Sequence, residues 1–350
     1  MYEQGVIRPP SEASSILVRV TRNCPWNQCV FCPAYKGVKF SRRTVEEVKR
    51  DIDAMAVEYG DFGRIDSVFL QDADSLVLPV DDLVAILEYL REKFPKIDRI
   101  TTYARARTLK RRTVDELRRL KDAGLTRVHA GMESGSATVL QLIRKGLSPE
   151  EIVSGGRHVM DAGLELSEYI MPGIGGRSLS EEHARETAHV LNQIHPHFIR
   201  VRTFAMHPLS PMQKMVREGT FVPMADDEIV GEIRLLVENL EEMHSYFSSN
   251  DFSLNLLMQV DGFLDEKKAF MLRELDTFLA FSKRQKQVYI LLQRSGYFRY
   301  PLDVVNDPDV LRKVLPEIEK LEKDGEDGFN RHIDTLKSYQ LPQPQTDNWC

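Results

Sequence analysis

Residues 16–33 read Ile-Leu-Val-Arg-Val-Thr-Arg-Asn-Cys-Pro-Trp-Asn-Gln-Cys-Val-Phe-Cys-Pro, a β-branched apolar run that passes straight into three cysteines. The run 16–22 predicts a strand. The next helical pattern begins at Val45, so Cys24, Cys29 and Cys32 fall in the loop after a first strand. Loops at the carboxyl ends of parallel strands are where α/β folds place their chemistry. Outward from this stretch, runs 67–71, 99–103, 127–131, 165–171 and 198–203 predict five more strands. Helical patterns separate them over 45–58, 82–94, 114–123, a pair across 137–162, and 181–194. Start signals fit: Thr44 with Glu47, Ser148-Pro149, and Ser180 before Glu181-Glu182. Gly60, Gly124 and Gly163 stand just past helix ends. Six strand–helix repeats imply a parallel sheet with right-handed crossovers.

The strand faces choose between a doubly wound sheet and a barrel. One alternate face carries Arg19 and Thr21; Ser67 and Gln71; Thr101, Tyr103 and Arg105; His129 and Glu133; Ser167 and Tyr169; Arg200 and Arg202. A doubly wound sheet is covered on both faces and reads nearly all apolar. A closed eight-stranded barrel fills its interior mainly with Val, Ile and Leu. A polar inner face predicts a wider, incompletely closed barrel with a wet or ligand-filled lumen. The expected fold class is therefore α/β, a partial (βα)6 barrel of parallel strands with a mostly helical C-terminal extension. The expected divisions are an N-terminal extension 1–15, a core 16–210, a helical region 211–340, with patterns at 226–243, 265–294 and 308–324, and a flexible tail 341–350.

Bulk properties bound the function. The chain has 350 residues, 42% of them hydrophobic, and a net charge of −6 with both signs scattered. That disfavours a general electrostatic grip on nucleic acid, although a local basic groove is compatible with it. No apolar run approaches the roughly 20 residues of a membrane helix, and the N-terminus lacks a secretory pattern. A cytoplasmic location without membrane contact is expected. Of the four cysteines, three lie within one short stretch and Cys350 stands alone. Without a signal peptide, such clustering reads as metal binding rather than a disulfide framework.

Zinc in a structural site takes four protein ligands. A cubane iron–sulfur cluster takes one thiolate per iron. Three cysteines thus satisfy three irons and leave one iron open to chelate a small amino-acid-like ligand. Zinc held by the three cysteines and a distant histidine, a cluster that only transfers electrons, and a chance grouping of thiols are the alternatives from spacing alone.

The sequence here resembles the radical S-adenosylmethionine (SAM) superfamily. Its usual signature is Cys, three residues, Cys, one residue, an aromatic, then Cys. Cys29-Val30-Phe31-Cys32 matches the second half, whereas four residues separate Cys24 from Cys29, a CX4CX2C variant. Gly131-Met-Glu-Ser-Gly-Ser136, Ile143-Arg-Lys-Gly146 and Ile170-Met-Pro-Gly-Ile-Gly-Gly176 are similar to the SAM-site segments of the coproporphyrinogen-oxidase-like and elongator-type branches. The resemblance covers about residues 14–210.

The resemblance implies that Cys24, Cys29 and Cys32 ligate a [4Fe-4S] cluster, with Phe31 near the adenine of SAM. Gln71-Asp-Ala-Asp74 departs from the family's two glycines and a glutamate, and Asp72 or Asp74 is expected to supply the carboxylate for the SAM amino group. Glu133, with Ser134 beside it, is expected at the ribose hydroxyls or amino group. Arg144 or Lys145 is expected to pair with the SAM carboxylate, and the Gly173 turn to lie against adenine. The implied reaction is reductive cleavage of SAM to a 5′-deoxyadenosyl radical that abstracts hydrogen from a substrate. An external low-potential electron donor is implied. Arg19, Arg105, Arg200 and Arg202 in the lumen point to a small anionic substrate. His129 and His207 are candidate proton donors. An RNA- or protein-modifying enzyme of the same class and a non-enzymatic iron–sulfur or zinc protein are the other readings.

Overall fold

A computed structural model of the chain describes residues 2–5, 7–59, 65–250, 253–296, 299–323, 325 and 327–341. Its strands are β1 (Ile16–Arg19), β2 (Thr21–Arg22), β3 (Ser41–Arg42), β4 (Ser67–Gln71), β5 (Arg99–Ala104), β6 (Arg127–Glu133), β7 (Glu165–Ile170), β8 (Phe198–Val201), β9 (Tyr246–Ser248) and β10 (Gly262–Phe263). Eight of them form one sheet in the order β1-β4-β5-β6-β7-β8-β9-β10, and β2 pairs with β3. Every pairing in the large sheet is parallel except β9 with β10.

Each new parallel strand adds on the same side of its predecessor. With right-handed crossovers, that order puts all the connecting helices on one face and leaves the other for a lumen. The helices of the outer layer are α1 (Val45–Tyr59), α2 (Val80–Lys93), α3 (Ala106–Arg111), α4 (Val114–Ala123), α5 (Ala137–Leu142), α6 (Pro149–Asp161) and α7 (Gly176–Ile194). Neighbours pack in sequence, α1 on α2, α2 on α4, α4 on α6 and α6 on α7. The apolar strand face, with Val18, Leu70, Ile100, Val128, Leu166 and Ile199, is fully buried against Ile52, Leu87, Leu117, Ile152 and Leu191. Each such side chain contributes about 1.5–3 kcal/mol. The local signals act as expected. Thr113 and Glu116 close a capping box on α4, and Ser148 and Glu151 close one on α6. Gly124 and Gly163 end helices at positive φ, while Gly60 lies outside the described residues.

The opposite face carries the expected polar residues in register. Arg19 stands beside Gln71, Tyr103 beside His129, His129 beside Ser167, and Tyr169 beside Arg200. Phe69 breaks the polar pattern and packs its ring edge-on to Tyr103, 5.1 Å between centroids. The sheet does not close among the described residues, because neither edge strand pairs with the other.

Two expectations need correction. The first strand splits: after Arg19 the chain leaves the sheet, and Thr21–Arg22 pairs with Ser41–Arg42 to close the cysteine loop at its base. Helix α7 begins at Gly176 rather than at Glu181, so Ser180 lies inside it. Its first turn is held from outside, because Arg177 N donates to Val222 O at 3.0 Å. The region 211–340 is mostly helical, as expected. It holds α8 (Met212–Arg217), α9 (Asp226–Asn239), α10 (Leu264–Leu279), α11 (Lys283–Ser295), α12 (Pro308–Lys323) and α13 (Gly328–Ser338). It also supplies β9 and β10, three and two residues long, too short to register as alternation. The pattern over 265–294 breaks where Ser282 caps α11. A buried Asp226, bound to Arg294 at 2.8 Å and Lys337 at 3.1 Å, ties α9, α11 and α13 together. Residues 342–350 of the expected tail, with Cys350, lie outside the described residues. No described helix is long and apolar enough to cross a membrane.

Candidate metal and cofactor site

The cysteine loop is held by its own asparagines and by the loop after α5. Asn23 and Asn27 take left-handed backbone, at φ 69° and 47°, which asparagine tolerates better than most residues. Asn23 Nδ2 donates to Lys39 O at 2.6 Å and Asn27 Nδ2 to Tyr35 O at 2.5 Å. Trp26 clamps the outside: its indole N–H donates to Arg144 O at 2.8 Å, and the Arg105 guanidinium lies 5.0 Å from its ring. The ring rests on Gly146, where a Cβ would sit 2.1 Å from it, at a φ of 71°. Glycine is therefore required at 146. On the other side Val30 N donates to Ile143 O at 3.0 Å.

Cys24, Cys29 and Cys32 are free thiols, each partly accessible. Burial pushes Cys29 up to about 11, with the Lys145 charge opposing it and the other two cysteines adding to it. Burial also raises Cys32. The three sulfurs thus feel one another across the loop, yet among the described residues no group of three His, Cys, Asp or Glu side chains is already gathered as a metal site. In number and chemistry the donors fit a cubane with one open corner. Binding displaces their protons, and a nearby ammonium favours that loss.

Lys145 is that ammonium. It is buried and bound to Glu133 Oε1 at 2.7 Å, and its Nζ lies 5.9 Å from the Phe31 ring centroid. Glu133 sits at a register shift between β6 and β7 with φ 62°. Its carboxylate crosses the face of Gly131, where any Cβ would lie 2.5 Å from Oε1. The adjacent Arg144 turns the other way, its side chain exposed. Ser134 is buried, and its Oγ accepts from Ser136 N at 3.0 Å, building the turn into α5.

Asp72 and Asp74 are each partly spent on the protein. Asp72 Oδ2 accepts from Arg19 Nε and Nη2, at 2.9 and 2.7 Å, and from Asn23 N at 2.8 Å. Asp74 Oδ2 accepts from Thr108 Oγ1 at 2.6 Å, and burial lifts this acid to about 7 against the pull of Arg105 and Arg112. Among the described residues, the Oδ1 atom of each is buried without a hydrogen-bond partner. Gly173 turns at φ 88°. A cavity of about 80 Å³ lies near it, lined by Phe31, Cys32, Met171, Arg202, Phe204 and His207, with Ile7 of the N-terminal segment at its edge.

The lumen is less cationic than four arginines imply. Arg19 is neutralised by Asp72 and by Glu3, each at 2.7 Å. Arg105 leaves the lumen for Trp26 and the Lys145 carbonyl, which it meets at 2.9 Å. His129 is buried 3.3 Å from Glu12 of the N-terminal segment, and burial pushes it down against the opposing pull of that carboxylate. His207 is lowered by burial, and its Nδ1 accepts from Leu209 N at 3.0 Å.

Glu168 is a buried acid close enough to feel the charges of Lys145 and Glu133, and the sequence reading did not single it out. It is fully buried, and burial lifts it to about 8, with the Lys145 charge and the Met132 backbone opposing and Glu133 adding. The signal was present: Glu168 shares the alternate face of its strand with Leu166 and Ile170, and a lone acid on an apolar face needs a reason. Its pH effect has a definite sign. Between about 4.3, the ordinary glutamate value, and about 8, the folded chain keeps a proton that the unfolded chain has shed, so stability falls as pH rises through that window. Glu168→Gln should remove this loss: its thermal midpoint should gain on the parent's from about pH 5 to pH 8. Parallel midpoint curves would mean that Glu168 is already ionised when folded.

A singly wound α/β sheet with a trithiol loop at the carboxyl end of its first strand defines a class of cluster-bearing enzyme. Residues 18–188, just under half of the chain, match the sequence model of the radical SAM superfamily, which the chain resembles. The chain is 28% identical over 158 residues to an uncharacterized methyltransferase of Pyrococcus horikoshii, a match covering 44% of this chain and 32% of that protein. It is 24% identical over 116 residues to a tRNA uridine(34) acetyltransferase of Methanocaldococcus infernus, covering 33% of this chain and 22% of that one. These matches span about a third and a fifth of those relatives. In fold it is similar to the cobalamin-dependent SAM radical enzyme OxsB, with TM-score 0.50 at 15% identity, covering 93% of this chain and 58% of that one.

Proposed function

We propose that the chain is a cytoplasmic enzyme that reductively cleaves SAM at a [4Fe-4S] cluster held by Cys24, Cys29 and Cys32, and acts on a small anionic substrate in the lumen. The observation that carries this reading is the buried Lys145, paired to Glu133 beside Phe31 and exerting its charge on Cys29. When bound, the cluster and SAM supply a one-electron cleavage of the S–C5′ bond, giving methionine and a 5′-deoxyadenosyl radical.

The protein's part is binding and orientation. Lys145, rather than the outward Arg144, pairs with the SAM carboxylate. The buried Oδ1 atoms of Asp72 and Asp74 are the acceptors left for its amino group. Glu133 accepts from the ribose hydroxyls. Phe31 and the Gly173 turn wall the adenine, and Ser134 shapes the turn behind Glu133. Arg200 and Arg202, beside Tyr169 and Tyr103, receive the substrate's charge. An external low-potential donor supplies the electron at the exposed rim of the cysteine loop.

The test is anaerobic reconstitution followed by reduction with dithionite in the presence of SAM. Release of 5′-deoxyadenosine and methionine is expected. A protein that takes up four irons yet releases neither product would overturn the reading in favour of a cluster that only carries electrons.

A further inference from the structure

A second buried acid–base pair lies behind Glu133 and is unused by the assignment above. His183 on α7 and Glu232 on α9 have side chains that are each 2% exposed, and His183 Nδ1 lies 3.1 Å from Glu232 Oε1. The other ring nitrogen, Nε2, lies 3.2 Å from the Glu133 carbonyl oxygen. A carbonyl only accepts, so Nε2 carries a hydrogen and donates it. Glu232 Oε1 also accepts from Gly173 N at 2.7 Å. One pair of side chains therefore grips the backbone at the last residue of β6 and at the turn after β7, the two segments assigned above to the SAM site.

Both turns need holding. Glu133 and Gly173 have φ of 62° and 88°. For glutamate that conformation is strained and persists only where surrounding contacts impose it. The Glu133 carbonyl has two such contacts, His183 Nε2 and the amide of Met171 at 2.9 Å. The grip on Gly173 comes from α9, which lies outside residues 18–188.

We infer that His183 and Glu232 are positioning residues that hold the Glu133 and Gly173 turns in their SAM-binding shape, so that helix α9 sets the affinity for SAM. The inference rests on the assignment of Glu133 and Gly173 to the SAM site. Its test is SAM affinity by equilibrium binding to the reconstituted, unreduced enzyme, with iron content and thermal midpoint measured alongside. The double variant His183→Leu/Glu232→Leu replaces both partners with apolar groups and so strands no single buried charge. Unchanged iron content with SAM bound about ten-fold or more weakly is expected, the size typical of losing a supporting contact. His183→Gln keeps an N–H for the Glu133 carbonyl and should bind SAM more tightly than His183→Leu.

Glu133→Ala separates the two ways of failing. If it loses SAM while the double variant binds like the parent, the pair is packing alone and the inference falls. If Glu133→Ala also binds like the parent, the site assignment beneath the inference falls as well. Should the double variant not fold, equal SAM affinities for His183→Gln and His183→Leu overturn the positioning role.

Discussion

Cys29→Ala should yield a folded protein that takes up no stable [4Fe-4S] cluster and releases no 5′-deoxyadenosine. Cys29 sits between the two other thiols in sequence, and each of the three serves one iron. No other cysteine is present among the described residues to replace it. Losing it leaves two protein corners on a four-iron cluster, and a doubly anchored cubane sheds iron. The fold should survive, because the loop is held by Asn23, Asn27, Trp26 and Val30 rather than by a disulfide. Iron analysis and the visible absorption of the reconstituted variant, read beside its thermal midpoint, check both halves. A Cys29→Ala protein that retained four irons and turnover would refute the ligand assignment.

Lys145→Met should cost both stability and SAM binding. Methionine matches the length of lysine but removes its charge. Glu133 then keeps a buried carboxylate whose partner at 2.7 Å is gone, with the acid Glu168 nearby. Breaking a buried pair from one side typically costs about 3–5 kcal/mol. Glu133→Gln/Lys145→Met removes both charges and should recover much of that stability while SAM binding stays weak. This split separates the structural role of the pair from its role toward SAM. Thermal unfolding and equilibrium SAM binding on both variants provide the readout. If the double variant bound SAM as tightly as the parent, Lys145 would have no part in holding the cosubstrate.

Much of this site was legible in the chain. Cys24, Cys29 and Cys32 declare themselves by spacing, because three thiols in one loop act within that loop. Glu133 and Gly173 declare themselves by the glycine-rich turns that contain them. The choice between Arg144 and Lys145 was not legible. Two adjacent cations look alike in sequence, and a left-handed residue at Arg144, φ 52°, followed by Gly146 at 71°, sends one outward and the other inward. Arg105 misled for a related reason. It lies one residue past the end of β5, where alternation no longer dictates the side, and the indole of Trp26 claims it. The two short strands β9 and β10 exist because the sheet edge offers them partners, and three residues carry no period of their own.

The class of fold, the trithiol loop and the polar lining of the lumen follow from the order of residues along the chain. Strand alternation, helix caps and ligand spacing are local, and local forces decide them. Only the tertiary structure decided which charges meet: Lys145 with Glu133 across 12 residues, Asp72 with Arg19 across 53, and Glu232 with His183 across 49. Such pairings depend on distances through space in a low-dielectric interior, where a charge is stable only beside its partner. That distance is a property of the packed sheet and helices, and no periodicity along the chain encodes it.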